Sequence, residues 1–357
     1  MTRSLDQPLP RTFVLELTRS CNHRCTHCYT VWDPPELGYD RHDGKTLSLA
    51  AWKKLIKRLH EEVPTLENIA LSGGEPLLFD DLNDLVRFIV GRGLSLVIIT
   101  NGTLLTRARL RELLAVGAYF EVPLLSHRPE IHDELTGKPG SWAAVVDNLA
   151  NMIGLDGGWV CVFVATRKNY KDLPDTARLA IALGAEGLMY NRMNLGAGNI
   201  QRAKQLLPTP KMIRWNLRTL ERLKDEVGLQ SAASVVIEPC VVDINEFPNV
   251  HFGWCPLAGE NSYFTIDPCG NVRICNHSPE VLGNLKDTKF TKIYLEHPYV
   301  KRFREELPEE CRDCPPEWRN ICRGGCKAAG EQCWGNPEKV DPFVTRYRNR
   351  NTVPHRV

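Results

Sequence analysis

The 357-residue chain contains no apolar run approaching the roughly 18–20 residues that a membrane-spanning helix needs. Its opening residues, MTRSLDQPLPRTF, lack the apolar core of a signal peptide, and the expectation is a cytoplasmic protein. Neither sign of charge dominates. Forty-five Lys and Arg stand against 43 Asp and Glu, a net charge of +2, so nothing calls for nucleic acid or an anionic membrane as partner. Low-complexity segments are absent, and the one internal regularity is an alternation of strand-like and helix-like segments. What is present is an ordinary globular balance, 43% apolar and 25% charged. The length suffices for a main domain plus a smaller one.

Cysteine is in excess, with 13 residues. In a reducing cytosol these do not form stable disulfides, and their odd number argues against a fully paired scaffold, so clustered cysteines point to metal or redox chemistry. Three lie at 21–28, Cys161 and Cys240 fall in the middle, and eight lie between 255 and 333. Cys161 sits in an apolar strand-like run and reads as a small buried apolar residue.

From residue 12 to about 228, short apolar runs alternate with longer segments of helical periodicity. The strand-like runs are FVLEL (13–17), NIAL (68–71), LSLVII (94–99), YFEVPLL (119–125), WVCVFVA (159–165) and GLMYN (187–191). Six strand–helix units in a row predict an α/β protein with a parallel sheet and right-handed crossovers, a partial (β/α)6 TIM-like barrel, with an open sheet as the alternative. Past residue 238 helical periodicity fades and Cys, Gly, Pro and Asn rise. The run SYFTIDPCGNVRIC (262–275) predicts a β-hairpin turning at Asp267–Gly270. The expected organisation is an N-terminal segment (1–11), the barrel (12–235), a small Cys-rich C-terminal domain (238–340) and a basic C-terminal tail (341–357).

The stretch SCNHRCTHCYT (20–30) spaces Cys21, Cys25 and Cys28 as C-x3-C-x2-C directly after the first strand. Parallel-sheet enzymes place their chemistry at the strands' C-terminal ends. Haem attachment through C-x-x-C-H fails, because Tyr29 follows Cys28. A zinc site could recruit His23 or His27, but structural zinc sites use two close pairs of ligands and no second pair is nearby. Three thiolates converging on a [4Fe–4S] cluster leave one iron without a protein ligand, free to bind a reacting molecule.

This arrangement resembles the radical S-adenosylmethionine superfamily, with His27 at the family's usual aromatic position. LSGGEPLL (71–78), after the second strand, is similar to its G-G-E-P element. There Gly73 and Gly74 would let the backbone approach the methionine end of the cofactor, and Glu75 would accept from its ammonium group. ITNGTLL (99–105), carrying Asn101, corresponds to the loop near the ribose. SHRPEIHDELTGKPGSW (126–142) resembles the S-L-D-G-P segment, with Ser126 in the cofactor-contacting position. MYNRMNLGAGN (189–199) supplies a further loop, with Arg192 nearby. The family's arginine that pairs with the cofactor carboxylate is Thr136 here, leaving Lys138, Arg167 or Arg192 as substitutes.

The second cysteine-rich region is similar to the SPASM extension, which carries two auxiliary [4Fe–4S] clusters. The resemblance implies Cys255, Cys275 and Cys326 for the first cluster and Cys311, Cys314, Cys322 and Cys333 for the second. The first set lacks its usual fourth cysteine, expected where Asn261 stands, so that Cys240, Cys269 or an open iron would complete it. A zinc ribbon is the competing reading, since C-x-x-C and C-x3-C also suit zinc.

The resemblance implies three [4Fe–4S] clusters, S-adenosyl-L-methionine as cofactor, and reductive cleavage to a 5′-deoxyadenosyl radical that takes a hydrogen from the substrate. It implies a reductant such as flavodoxin or ferredoxin. The favoured substrate is a peptide or protein, cross-linked or oxidised. Some ten residues precede the first strand, too few for a leader-binding domain, so a separate leader-recognition protein or direct docking is expected. Sulfatase-maturing members carry an acidic residue after the second extension cysteine; Asn276 here argues against that activity. The alternatives are oxidative decarboxylation in small-molecule or tetrapyrrole biosynthesis and, from another class, a zinc- or cluster-binding interaction protein.

Overall fold

The structure, a computed structural model, describes residues 9–31, 46–196, 198–255 and 262–348. Six strand–helix units follow one another: β1 (Thr12–Glu16) and α1 (Leu49–Glu62), β2 (Asn68–Ser72) and α2 (Leu82–Val90), β3 (Ser95–Ile99) and α3 (Arg107–Leu114). Next come β4 (Tyr119–Pro123) with α4 (Pro129–Thr136) and α5 (Ser141–Ala150), β5 (Trp159–Ala165) with α6 (Leu173–Ala182), and β6 (Gly187–Arg192) with α7 (Ala203–Leu206) and α8 (Pro210–Val227). Local chemistry accounts for these elements. In α1 the Ser48 side chain accepts from Ala51 N–H, and Trp52, Leu55, Ile56 and Leu59 make one buried stripe at helical spacing. α8 starts on a Thr209 cap with Pro210 in its first turn and stops at Gly228, whose φ is 72°. In β5, Trp159, Cys161, Phe163 and Ala165 are buried and the alternate residues half-buried, as fits a strand that is apolar on both faces.

Strands β1 to β6 lie side by side in chain order and pair in parallel, the expected partial (β/α)6 arrangement. The sheet is longer than six strands, however. β7 (Ser231–Ala233) and β8 (Val250–Phe252) extend it past β6. On the other side β9 (Tyr263–Ile266), from the Cys-rich region, pairs in parallel with β1. β9 and β10 (Asn271–Arg273) form the expected hairpin around 267–270, and β11 (Gly283–Asn284) pairs with β10. Three-residue runs such as SAA and VHF carry too little apolar pattern to register as strands, and no local pattern encodes a pairing across 250 residues.

The C-terminal region adds α9 (Phe290–Glu296), α10 (Pro298–Glu305), α11 (Pro316–Ile321), α12 (Lys327–Trp334) and α13 (Pro342–Tyr347). Phe290 of α9 packs edge-on against Phe13 of β1 and Phe264 of β9, with ring centroids 4.7 and 5.1 Å apart. A buried ion pair joins Arg273 of β10 to Glu16 of β1. Residues 341–348, grouped with the tail in the sequence reading, contain α13, whose Phe343 is fully buried.

β1 is therefore an interior strand only because β9 covers it. A chain ending at residue 237 leaves that edge bare. It is expected to elute as aggregate in size-exclusion chromatography where the intact chain does not.

Candidate active site and cysteine sets

Cys21, Cys25 and Cys28 lie on the loop that leaves the C-terminal end of β1. Backbone bonds fasten this loop on two sides. Leu17 N donates to Ser72 O at 3.0 Å, Gly74 N to Thr18 O at 2.7 Å and Glu75 N to Ser20 O at 2.9 Å. Opposite, Arg24 N and Thr26 N donate to Thr136 O and Leu135 O at the end of α4, at 3.0 and 2.8 Å. The Asn199 amide closes the far end, donating to the carbonyls of His27 and Cys28 at 3.1 Å each. Within the loop, His23 N points at the Cys21 sulfur at 3.4 Å, and the Thr30 hydroxyl lies 3.3 Å from the Cys28 sulfur. Three half-buried thiols on one braced loop, one of them met by a backbone N–H, fit a cluster with one open iron. His23 packs beside Thr103, 3.4 Å from its hydroxyl, and burial depresses the pKa of both His23 and His27 to about 4, so both rings are neutral neighbours of the loop.

The two glycines have a more immediate reason than approach to a cofactor. A Cβ at Gly73 would stand 2.4 Å from Thr18 O, and one at Gly74 would stand 2.3 Å from Ser20 O. Side chains there would strike the backbone of the cysteine loop itself. Glu75 is fully buried and binds three donors of its own chain: Leu77 N at 3.0 Å, the Thr100 hydroxyl at 2.6 Å and Asn101 N at 2.9 Å. Burial raises its pKa and these three bonds oppose the rise. The carboxylate thus joins the loops after β2 and β3. The Asn101 side chain donates to Asn22 at 2.8 Å and accepts from Thr103, which ties the third loop to the cysteine loop.

Ser126, after β4, is buried with its hydroxyl donating to Asp172 at 2.7 Å and accepting from Arg128 N at 3.0 Å. Arg192 corrects the sequence reading outright. Its guanidinium is fully buried and donates to Glu238, Asp341 and the Val236 carbonyl at 2.8, 2.6 and 2.9 Å, which leaves it nothing to offer a cofactor. Of the proposed cofactor residues, Gly73, Gly74, Glu75 and Asn101 gather against the cysteine loop, Ser126 stands on the neighbouring strand end, and Arg192 belongs to an internal ion pair.

The other cysteines fall into two groups. Cys255, Cys275 and Cys326 lie within electrostatic reach of one another; burial pushes Cys255 to about 12 and Cys275 to about 11, and it raises Cys326. Cys326 N donates to Asp341 at 3.2 Å, and its sulfur accepts from the Asn194 amide at 3.4 Å. The second group lines a cavity with Trp318, Arg319 and Arg323; it contains Cys311, Cys314 and Cys322, and with them Cys240. Cys240 therefore does not complete the first group. Cys269 sits in the β9–β10 turn with its sulfur accepting from Arg19 at 3.3 Å. Position 261 lies outside the described residues. Among the described residues no three His, Cys, Asp or Glu side chains meet as the ligands of a single ion would. A cubane holds its thiolates at its corners, further apart than the ligands of one ion.

Sequence reasoning missed the residues that join these parts. Asn276 donates to the Tyr29 hydroxyl at 2.7 Å and accepts from Tyr263 at 3.1 Å, linking the first cysteine loop to the hairpin, and the Tyr29 ring packs 4.9 Å from His277. Asn199 was visible only as part of a Gly–Asn pair after the sixth strand.

The fold and these cysteine groups define the class. Residues 15–180 match the Radical SAM superfamily and residues 255–315 match SPASM, an iron-sulfur cluster-binding domain. The chain carries a radical SAM domain followed by a SPASM domain. It is 26% identical over 369 residues to an AdoMet-dependent heme synthase of Oleidesulfovibrio alaskensis, covering 97% of this chain and 90% of that one. It is 27% identical over 343 residues to a PqqA peptide cyclase of Rhodopseudomonas palustris, covering 94% and 86%. In fold it is similar to Streptococcus suis SuiB bound to precursor peptide SuiA, with a TM-score of 0.74, 15% identity, and coverage of 94% of this chain and 76% of that one.

Two expectations follow from this geometry. Gly74→Ala forces the second loop off the first; it should destabilise the protein by about 1–3 kcal/mol and lower the iron retained on anaerobic purification, read by thermal melting and iron analysis. His132, buried on α4, accepts from Leu125 N at 3.2 Å, and burial lowers its pKa from the ordinary 6.5 to about 4. The unfolded chain then takes up a proton below pH 6.5 that the native state refuses until about pH 4, so its contribution is complete above 6.5 and declines as the pH falls to 4. Urea midpoints at pH 7.5 and 5.0 should differ less in His132→Gln than in the wild type.

Proposed function

We propose that the protein is a radical S-adenosylmethionine oxidoreductase that modifies a peptide or protein substrate, by cross-linking or oxidation, after reductive cleavage of the cofactor. The observation that carries this reading is the three-cysteine loop at the end of β1, braced by the Gly–Gly–Glu loop after β2. Cys21, Cys25 and Cys28 would hold the cluster, and the loops bearing Gly73, Gly74, Asn101 and Ser126 would line the cofactor. When bound, these groups supply one-electron cleavage of the sulfonium to a carbon radical that takes hydrogen from an unactivated C–H. The chain's own residues orient and enclose: Glu75 and Asn101 lock the strand-end loops together, while Tyr29 and Asn276 join the loop to the C-terminal region. The two C-terminal cysteine groups would hold auxiliary iron–sulfur clusters, whose chemistry would be electron acceptance or substrate ligation. A flavodoxin or ferredoxin would supply the reducing electron, and a separate leader-recognition protein would assist peptide binding.

The PqqA cyclase relative and the likeness to a peptide-bound structure support a peptide substrate. One observation favours a second reading, tetrapyrrole modification by oxidative decarboxylation: the heme synthase relative aligns with nearly the whole chain.

Anaerobically purified protein should be brown, carry about twelve irons per chain for three clusters, and cleave S-adenosylmethionine when reduced. Cys25→Ala should abolish cleavage. Cys314→Ala should leave some cleavage while lowering product formation. A colourless, zinc-rich protein would sink the enzyme reading in favour of an interaction protein. Incubation with short peptides encoded beside the gene, against incubation with porphyrin precursors, separates the two substrate readings by mass change.

A further inference from the structure

The cysteine pattern of the C-terminal region pairs Cys333 with Cys311, Cys314 and Cys322, but the packing brings a different thiol to that group. The cavity beside α11 is lined by Cys240, Cys311, Cys314 and Cys322. Each reaches it from a defined piece of backbone. Cys311 and Cys314 stand on a tight turn, in which Cys314 N donates to Cys311 O at 3.1 Å. Cys322 caps the C-terminal end of α11, with its N–H bonded to Trp318 O at 2.8 Å. Cys240 sits on a turn in which both Val241 N and Val242 N donate to Glu238 O, at 2.8 and 3.0 Å. Glu238 is in turn held by the buried Arg192, so the position of Cys240 is set by the barrel and not by a free loop.

Charge around this cavity suits four thiolates. Arg319 and Arg323 line it, and Arg348 at the end of α13 places a guanidinium nitrogen 4.0 Å from the Cys314 sulfur. Four thiols entering a cluster give up four protons and bring four negative charges, which these cations offset. Cys333 is on the last turns of α12 and does not line the cavity.

We propose that Cys240, in place of Cys333, completes the second cysteine set, so that Cys240, Cys311, Cys314 and Cys322 hold one iron–sulfur cluster. This rests on the reading that the C-terminal region carries auxiliary clusters. It also means that the first set, Cys255, Cys275 and Cys326, does not draw on Cys240.

The test is alkylation mapping of the intact, anaerobically purified wild-type protein, which needs no variant to fold. Iodoacetamide followed by peptide mass spectrometry should leave Cys240, Cys311, Cys314 and Cys322 unmodified and label Cys333. After iron is stripped with a chelator under the same conditions, Cys240 should become labelled. Protection of Cys333 with labelling of Cys240 in the iron-loaded protein would overturn the assignment. Iron analysis gives an independent reading: Cys240→Ala should drop from about twelve to about eight irons per chain, and Cys333→Ala should stay near twelve. Cys240→Ser, which keeps an oxygen ligand, should retain iron with an altered electron paramagnetic resonance signal, whereas an unchanged signal counts against ligation. A wild-type protein with only four irons would remove the auxiliary-cluster reading and this inference together. A twelve-iron wild type with a twelve-iron Cys240→Ala variant would remove this inference alone.

Discussion

One buried guanidinium holds the catalytic barrel and the cysteine-rich region together. Arg192 ends β6, is fully buried, lies 4.6 Å over the ring of Phe343, and binds Glu238 and Asp341 at once. Two carboxylates against one cation would leave a net negative charge in the interior. Burial opposes this by raising the Glu238 pKa against the pull of Arg192, with Asp341 adding to the rise. Removing one partner of such a group typically costs about 3–5 kcal/mol. Both cysteine groups hang from it. Asp341 also accepts from Cys326 N, and Glu238 accepts through its carbonyl the bonds that form the Cys240 turn. Gly325 has no room for a side chain because a Cβ there would meet a Glu238 carboxylate oxygen at 2.3 Å.

The barrel end of the site follows a different rule. Its four strand-end loops touch one another through backbone and amide groups. Glu75 and Asn101 spend their hydrogen bonds on neighbouring loops, and Ser126 spends its own on Asp172. A loop assembly saturated in this way is pre-organised: little conformational freedom remains for a bound cofactor to remove.

How much of this was readable in the chain depends on the range of each interaction. The six strands and the hairpin around Asp267–Gly270 rest on local pattern, and they were legible. The glycine pair was legible as a requirement for close approach, although what approaches is the loop of Thr18 and Ser20. Arg192 misled because a basic residue at a strand's C-terminal end looks like an anion site, while its partners lie 46 and 149 residues away. Cys240 misled for the same reason. Spacing along the chain groups it with nothing, and only the folded arrangement brings it to Cys311, Cys314 and Cys322.

The pairing of β9 with β1 has a consequence for electron flow. Four rungs, from Thr12 opposite Tyr263 to Leu15 opposite Ile266, lock the strand that leads into Cys21 to the hairpin that leads into Cys275. A slip of one residue would turn the side chains of β9 to the opposite face and disengage Phe264 from Phe290. The separation between redox groups at the two ends of this ladder is therefore set by hydrogen-bond register, as the marks on a ruler set a length. Were redox groups held at both ends, the electron-tunnelling distance between them would be a property of the sheet.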